Sequence, residues 1–295
     1  MEAVAERGSV AGPVRLAMLP LVLPAALLFL LAFVTPIALL VQQSFATYIP
    51  GRVTTSSAFT FDNYAKLAQP AYAGFFLDTF RLSLIATVLS LLFAYLTAYF
   101  VARRRQGAVR TAAIAGLIGM MFVSGIVRVY RLSLSLGTAG LLGVARDLFG
   151  LAANNIYLLE ANVVIGIVHY TAPLMALTLI GTLQNIDPRL EDAAEVLGAS
   201  RCRAFLDTTV ALSLPGIASA FFLGYAMAVS AFTIPLFLGN GIVVSVTMLI
   251  YQRFSEIPNN PFGSAIAVTL LAASLELAGI GVGMVRQSAR LMRLA

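Results

Sequence analysis

Asp187-Pro188-Arg189-Leu190-Glu191-Asp192-Ala193-Ala194-Glu195-Val196-Leu197-Gly198-Ala199-Ser200 is a polar island in an otherwise apolar chain, and its local chemistry spells a short helix. Asp187 can accept from the first free amides of that helix. Pro188 suits the first helical position, where a missing N–H costs nothing. Glu191 falls near the positive end of the helix dipole, and Gly198 can take the left-handed stop. Leu190, Ala193, Ala194 and Leu197 recur at i, i+3, i+4 and i+7, giving one apolar stripe of small residues that another surface can approach closely. Glu191, Asp192 and Glu195 lie off the stripe. Such a helix either packs on its own bundle or docks into a groove elsewhere.

Outward from this island, residues 162–183 and 214–238 are apolar runs long enough for a hydrocarbon core that needs ~20 helical residues. Residues 19–41, 82–102, 111–127 and 264–285 are similar, the third being short and expected to extend past Arg128. The chain therefore reads as an all-α polytopic membrane protein with six transmembrane helices. Composition agrees: of 295 residues, 60% are hydrophobic and 11% charged, with mean hydropathy +0.91. A soluble domain carries about 25% charged residues, so this chain cannot clothe a globular surface and a soluble enzyme is excluded. The run from Met18 to Val41 is too long for the apolar part of a signal peptide and reads as a retained first helix. One cysteine, Cys202, leaves no internal disulfide or cysteine-based metal cluster, and the single histidine, His169, argues against a histidine-rich metal site.

Arginine placement sets the orientation. Twelve basic residues (Arg7, Arg15, Arg103, Arg104, Arg105, Arg110, Arg189, Arg201, Arg203, Arg286, Arg290 and Arg293) fall on one side of the six spans and seven on the other. The positive-inside rule then puts both termini in the cytoplasm, with tails at 1–18 and 286–295, an outer loop at 42–81 and the loop 187–213 inside. The net charge of +6 is thus a topology signal, not a sign of nucleic-acid binding. Lys66, the only lysine, follows Ala65 in the outer loop, so no G-x-x-x-x-G-K-[ST] phosphate loop exists. If ATP drives this protein, another chain must bind it.

Asp192-Ala193-Ala194-Glu195-Val196-Leu197-Gly198 resembles the E-A-A-x-x-x-G loop of permease subunits in bacterial ABC importers, with Asp192 at the leading glutamate position. Leu214-Pro215-Gly216 matches a turn that such permeases have before the next span, while Ala211 stands where many carry a proline. Phe61-Asp62-Asn63-Tyr64, Ala98-Tyr99-Phe100-Val101-Ala102-Arg103, Val127-Arg128-Val129-Tyr130, Gly137-Thr138-Ala139-Gly140-Leu141, Ser230-Ala231-Phe232-Thr233-Ile234-Pro235 and Asn260-Pro261-Phe262-Gly263 resemble the spermidine/putrescine branch. The resemblance spans roughly residues 60–290. It implies a type I importer permease fold over 77–285 in the inner membrane, and a role in moving a small polar nitrogenous solute such as a polyamine. Leu190, Glu191, Asp192, Ala193, Ala194, Leu197 and Gly198 would form the coupling helix that docks on an ATP-binding subunit. The implied partners are a dimer of that subunit carrying ATP and Mg, a second homologous permease and a periplasmic solute-binding protein. No cofactor is expected on this chain and no catalysis of its own.

Polar groups at membrane depth are candidates for the solute pathway. Glu276, in the sixth span, is expected to face the bundle or a wet cavity, since a charge at the bilayer centre costs about 2.5–3.5 kcal/mol. It reads either as a pathway carboxylate or as a structural one. His169 and Tyr170, just before Pro173, are packing residues or part of the pathway, and Pro173 is expected to kink the fourth span. Arg128 and Arg131 either snorkel to the outer interface or line a vestibule suited to an anionic or zwitterionic solute. Ser230 and Phe232 interrupt the fifth span. A self-sufficient transporter or channel using Glu276 as a cation or proton site is the competing reading; an intramembrane enzyme lacks the residue pairs it would need.

Overall fold

The computed structural model describes residues 23–50, 59–104, 107–137, 155–256 and 258–291, with residues 140, 143–144, 148 and 150. The 1–18 tail, the start of the first span, the Ser/Thr stretch 54–57 and part of 137–141 lie outside the described residues. Among the described residues the chain is helical, apart from one isolated bridge between Ala46 and Phe59. Five helices are long and apolar enough to cross a membrane: α1 (Leu23–Ser44), α3 (Pro70–Arg103), α6 (Ile156–Gln184), α8 (Arg201–Val229) and α11 (Asn260–Leu291). Shorter helices join them: α2 (Asp62–Leu67), α4 (Ala108–Phe122), α5 (Gly125–Leu136), α7 (Arg189–Val196), α9 (Thr233–Leu238) and α10 (Val246–Ser255).

α6 is apolar on every side and lies at the centre, as an all-round hydrophobic helix must. One core cluster gathers Leu82 and Ala86 of α3, Val163 and Ile167 of α6, Ala228 of α8 and Ile234 and Leu238 of α9. A second lies further along α6, where Met175, Leu179 and Leu183 meet Ala94, Ala98 and Val101 of α3 and Ala220 of α8. Small residues let these backbones approach. A Cβ on Gly216 would stand 2.3 Å from the Thr182 hydroxyl, and one on Gly224 would stand 2.4 Å from the Met175 sulfur. Hydroxyls in this core are satisfied locally: Thr87 and Ser90 donate to carbonyls four residues back, and Ser90 shares a 2.7 Å hydrogen bond with Thr171.

α1 lies at the periphery, packed on α11, with Ser44 its buried residue. It widens to a π-turn over Leu30–Val34, just before Pro36 removes an amide from the ladder. Its end is held by the Phe61-Asp62-Asn63-Tyr64 motif. The buried Asn63 amide donates to the carbonyls of Ser44 (2.9 Å) and Ala46 (3.0 Å), and Tyr64 meets the Ser44 hydroxyl at 2.7 Å. The motif is thus a cap for orphan carbonyls.

Three spans depart from the sequence reading: the second already starts at Pro70, inside the stretch 42–81 read as an outer loop, and the third and fifth differ too. The third does not run on past Arg128: α4 stops at Phe122, and α5 leaves at 98° to it. At 1.5 Å per residue α4 is about 22 Å long, short of a ~30 Å hydrocarbon core. The fifth span starts at Arg201, so the loop read as 187–213 ends near Ser200, and Leu214-Pro215-Gly216 lies inside a helix. The same span stops at Val229, and residues 230–232 separate it from α9. α6 continues through Pro173 without a break in the helix.

Candidate functional site

α7 is built by the signals at its ends. The Asp187 carboxylate accepts from the Arg189 amide at 2.9 Å. At the other end Gly198 adopts φ +93°, its amide reaches the Glu195 carbonyl at 2.9 Å, and the Ala199 amide reaches the Ala194 carbonyl at 3.0 Å. This paired closure needs a left-handed residue, which glycine supplies without a Cβ penalty. The apolar stripe is turned outward: Leu190 and Ala193 are exposed, and Leu197 is 88% exposed. Ala194, placed on the same stripe, is half-buried. Val196, which the i, i+3, i+4 count passed over, is 87% exposed beside Leu197 and completes a bare apolar tip.

Glu191 corrects the sequence reading, in which it faced a partner. Its carboxylate is turned into the bundle, accepting from Arg103 at 2.7 Å, from the Tyr99 hydroxyl at 2.9 Å, and from the Thr209 hydroxyl. Arg103 also donates to the Ile186 carbonyl at 2.9 Å and to Thr209 at 2.9 Å, and lies over the Tyr99 ring. Phe205 packs edge-on against that ring at 4.9 Å. Thr209 is presented by a π-helical turn over Phe205–Val210, which widens α8 where it meets α7. Burial raises the Glu191 pKa, but the hydrogen bonds from Thr209, Tyr99 and Arg103 and the charge of Arg103 outweigh it, leaving the carboxyl below its ordinary value. Asp192 and Glu195 stay at the surface, Glu195 loosely paired with Arg201 at 3.8 Å. Residues from α3, α7 and α8 therefore meet in one clamp.

The solute-pathway candidates divide. Arg128, His169 and Tyr170 come together at the bend between α4 and α5. A cavity of about 230 Å³ lies there, lined by Met120, Val123, Arg128, Arg131, Leu132, Ser135 and His169. Arg128 does not snorkel; it is 6% exposed, donates to the carbonyls of Met120 and Val123, and lies 5.7 Å from the Tyr170 ring centre. It caps the carbonyls that the break at the end of α4 leaves open. His169 has a buried Nδ1 with no hydrogen-bond partner among the described residues. Pro173, one turn on, removes the amide that would bond the His169 carbonyl. Ser230 and Phe232 lie instead in the break after α8, where Phe232 packs on Tyr251 at 4.8 Å. Glu276 faces neither the bundle nor this cavity: it is exposed on the surface of α11. Among the described residues no group of three or more His, Cys, Asp or Glu is placed to hold a metal ion.

A central span, a bare helix clamped to two other spans and a cavity at a broken span make up a polytopic membrane protein. The chain belongs to the family of binding-protein-dependent transport system inner membrane components, whose pattern it matches over residues 111–282. It is 30% identical over 214 residues to the spermidine/putrescine transport system permease protein PotB of Salmonella typhimurium (strain SL1344), covering 72% of this chain and 74% of that one. In fold it is similar to a chain of a bacterial ABC transporter involved in the import of the acidic polysaccharide alginate, with TM-score 0.75, 16% identity, and 93% and 96% of the two chains covered. The same transporter in complex with an alginate pentasaccharide-bound periplasmic protein gives TM-score 0.73 at 17% identity, covering 93% and 95%. The chain is thus a multi-pass permease component of an ABC importer.

Proposed function

We propose that this permease works in an ATP-driven importer of the bacterial inner membrane, with both termini cytoplasmic, and carries a small polar nitrogenous solute. The observation that supports this reading most is the bare apolar tip of α7, clamped by Glu191 to α3 and α8. Its Leu190, Ala193, Val196 and Leu197 suit a groove on a separate ATP-binding subunit, which would hold ATP and Mg. A second, similar permease completes the pathway, and a periplasmic binding protein delivers solute to the outer loops. The identity to spermidine/putrescine permeases favours a polyamine or a related amine or amino-acid derivative. A self-sufficient transporter using Glu276 has less support, because that carboxylate lies on the outside of the chain.

Purification from native membranes tests the proposal. An ATPase and a second permease are expected to accompany the wild-type chain. Leu197→Asp places a charge on the tip, and Gly198→Val strains a left-handed position by about 1–2 kcal/mol. Both are expected to lose the ATPase and solute uptake while keeping membrane insertion. Full uptake by both variants would overturn the docking role of α7.

A further inference from the structure

We propose that the cavity at the bend of the third span binds a carboxylate group of the transported solute. The cargo would then be a carboxylated nitrogenous compound, such as an amine that also bears an acid, and not a pure polycation. This rests on the importer reading above and narrows its substrate.

The charge of the cavity decides the class. Arg128 and Arg131 line it, and among the described residues no carboxylate does. Of the acidic groups on the long helices, Asp78 and Glu160 pair with Arg81, Asp207 pairs with Arg203, and Glu276 is on the exposed side of α11. Arg128 is engaged with two backbone carbonyls and the Tyr170 ring, so it holds the bend in shape. Arg131, about one turn further along α5, has no hydrogen bond or ion pair among the described residues. A free guanidinium offers planar, paired donors that fit a carboxylate. Ser135, a turn beyond, adds a hydroxyl, and His169 lines the cavity from the facing helix, with its Nδ1 buried and unpartnered among the described residues. Two guanidinium groups repel an ammonium ion, so a diamine has nothing here to neutralise it.

Position supports a role in transport. α4 alone is too short to cross a hydrocarbon core, and the cavity lies at the bend where α5 turns away from it. His169 lies midway along α6, so the cavity sits at membrane depth.

The test uses the assembled importer, two permeases with their ATPase, in lipid nanodiscs. Equilibrium binding is measured with radiolabelled 4-aminobutyrate and with putrescine, which has the same four-carbon chain and an ammonium in place of the acid. Saturable binding of 4-aminobutyrate is expected, tighter than that of putrescine. Arg131→Gln should weaken it at least tenfold, whereas Arg131→Lys should stay within threefold, and putrescine binding should not fall in either. If Arg131→Gln fails to assemble, His169→Gln serves in its place, with a threefold or greater loss expected. Absence of saturable 4-aminobutyrate binding, equal binding by Arg131→Gln, or tighter binding of putrescine would overturn the proposal. ATP-driven uptake into proteoliposomes, with the periplasmic binding protein supplied, separates the two readings. Putrescine uptake without Arg131-dependent 4-aminobutyrate binding sinks only the carboxylate site. Arg131-dependent binding with no ATP-driven uptake of either probe sinks the importer reading.

Discussion

Glu191 is the residue on which the α7 end of the molecule turns, because it converts a surface loop into a fixture of three helices. Its carboxyl is held below its ordinary pKa, so the stabilisation it gives is present above the unfolded value and is lost as pH falls through the folded one. The wild-type complex is therefore expected to lose thermal stability steeply below about pH 4.5, near the unperturbed carboxyl range. Glu191→Gln should flatten that part of the profile. At neutral pH the variant should be less stable by about 2 kcal/mol, since hydrogen bonds to a charged group are each worth about 1.5–3 kcal/mol and this site is partly solvated. Thermal unfolding of both proteins across pH checks both statements; superimposable curves would show the clamp to be idle. The sequence carried Glu191 as an acidic residue at a helix start, which is local information. Its turn inward depends on Arg103 and Thr209, which no reading of α7 alone could supply.

At the scale of elements, the contact of α6 with α8 depends on glycine. Gly216→Val and Gly224→Leu would each force a branched or long side chain into Thr182 or Met175. Overpacking of this kind costs about 1–3 kcal/mol, so both variants should lower the thermal midpoint and the yield of assembled complex. Gly279→Ala, where a Cβ meets nothing within 4 Å, should not. Size-exclusion profiles in detergent give the comparison. Five of the six spans were legible as elements, because lipid demands long apolar helices and sequence shows length and apolarity directly. The break in the third span was not legible. Residues 111–127 read as one apolar run, and what ends α4 at Phe122 is a bend stabilised by Arg128 from beyond it. The start of α8 was hidden too, since polar residues Arg201 to Thr209 continue a helix that apolar counting begins later. The ends of α7 were legible because Asp187 and Gly198 act on their immediate neighbours.

Across the whole molecule, the chain leaves much of its apolar surface uncovered, including α1 and the outer side of α11. Glu276 lies on that outer side, and a carboxylate at membrane depth costs about 2.5–3.5 kcal/mol against lipid. Glu276→Leu is therefore expected to raise the thermal stability of the isolated chain in lipid, and, if a second permease covers α11, to weaken their association. Thermal unfolding of the chain alone and pull-down of the second permease give the two readouts; a destabilised isolated chain would mean that Glu276 is satisfied within its own subunit.

The clamp around Glu191 also sets what kind of motion α7 can pass on. A helix closed at both ends by its own caps and gripped along one side through Glu191 moves with the helices that hold that side. A thrust on its bare tip would then pass to α3 and α8, which pack against α6 between them. The mechanism would have the stiffness of a gear tooth cut into its wheel, in which stroke length is set by the wheel and not by slack at the tooth.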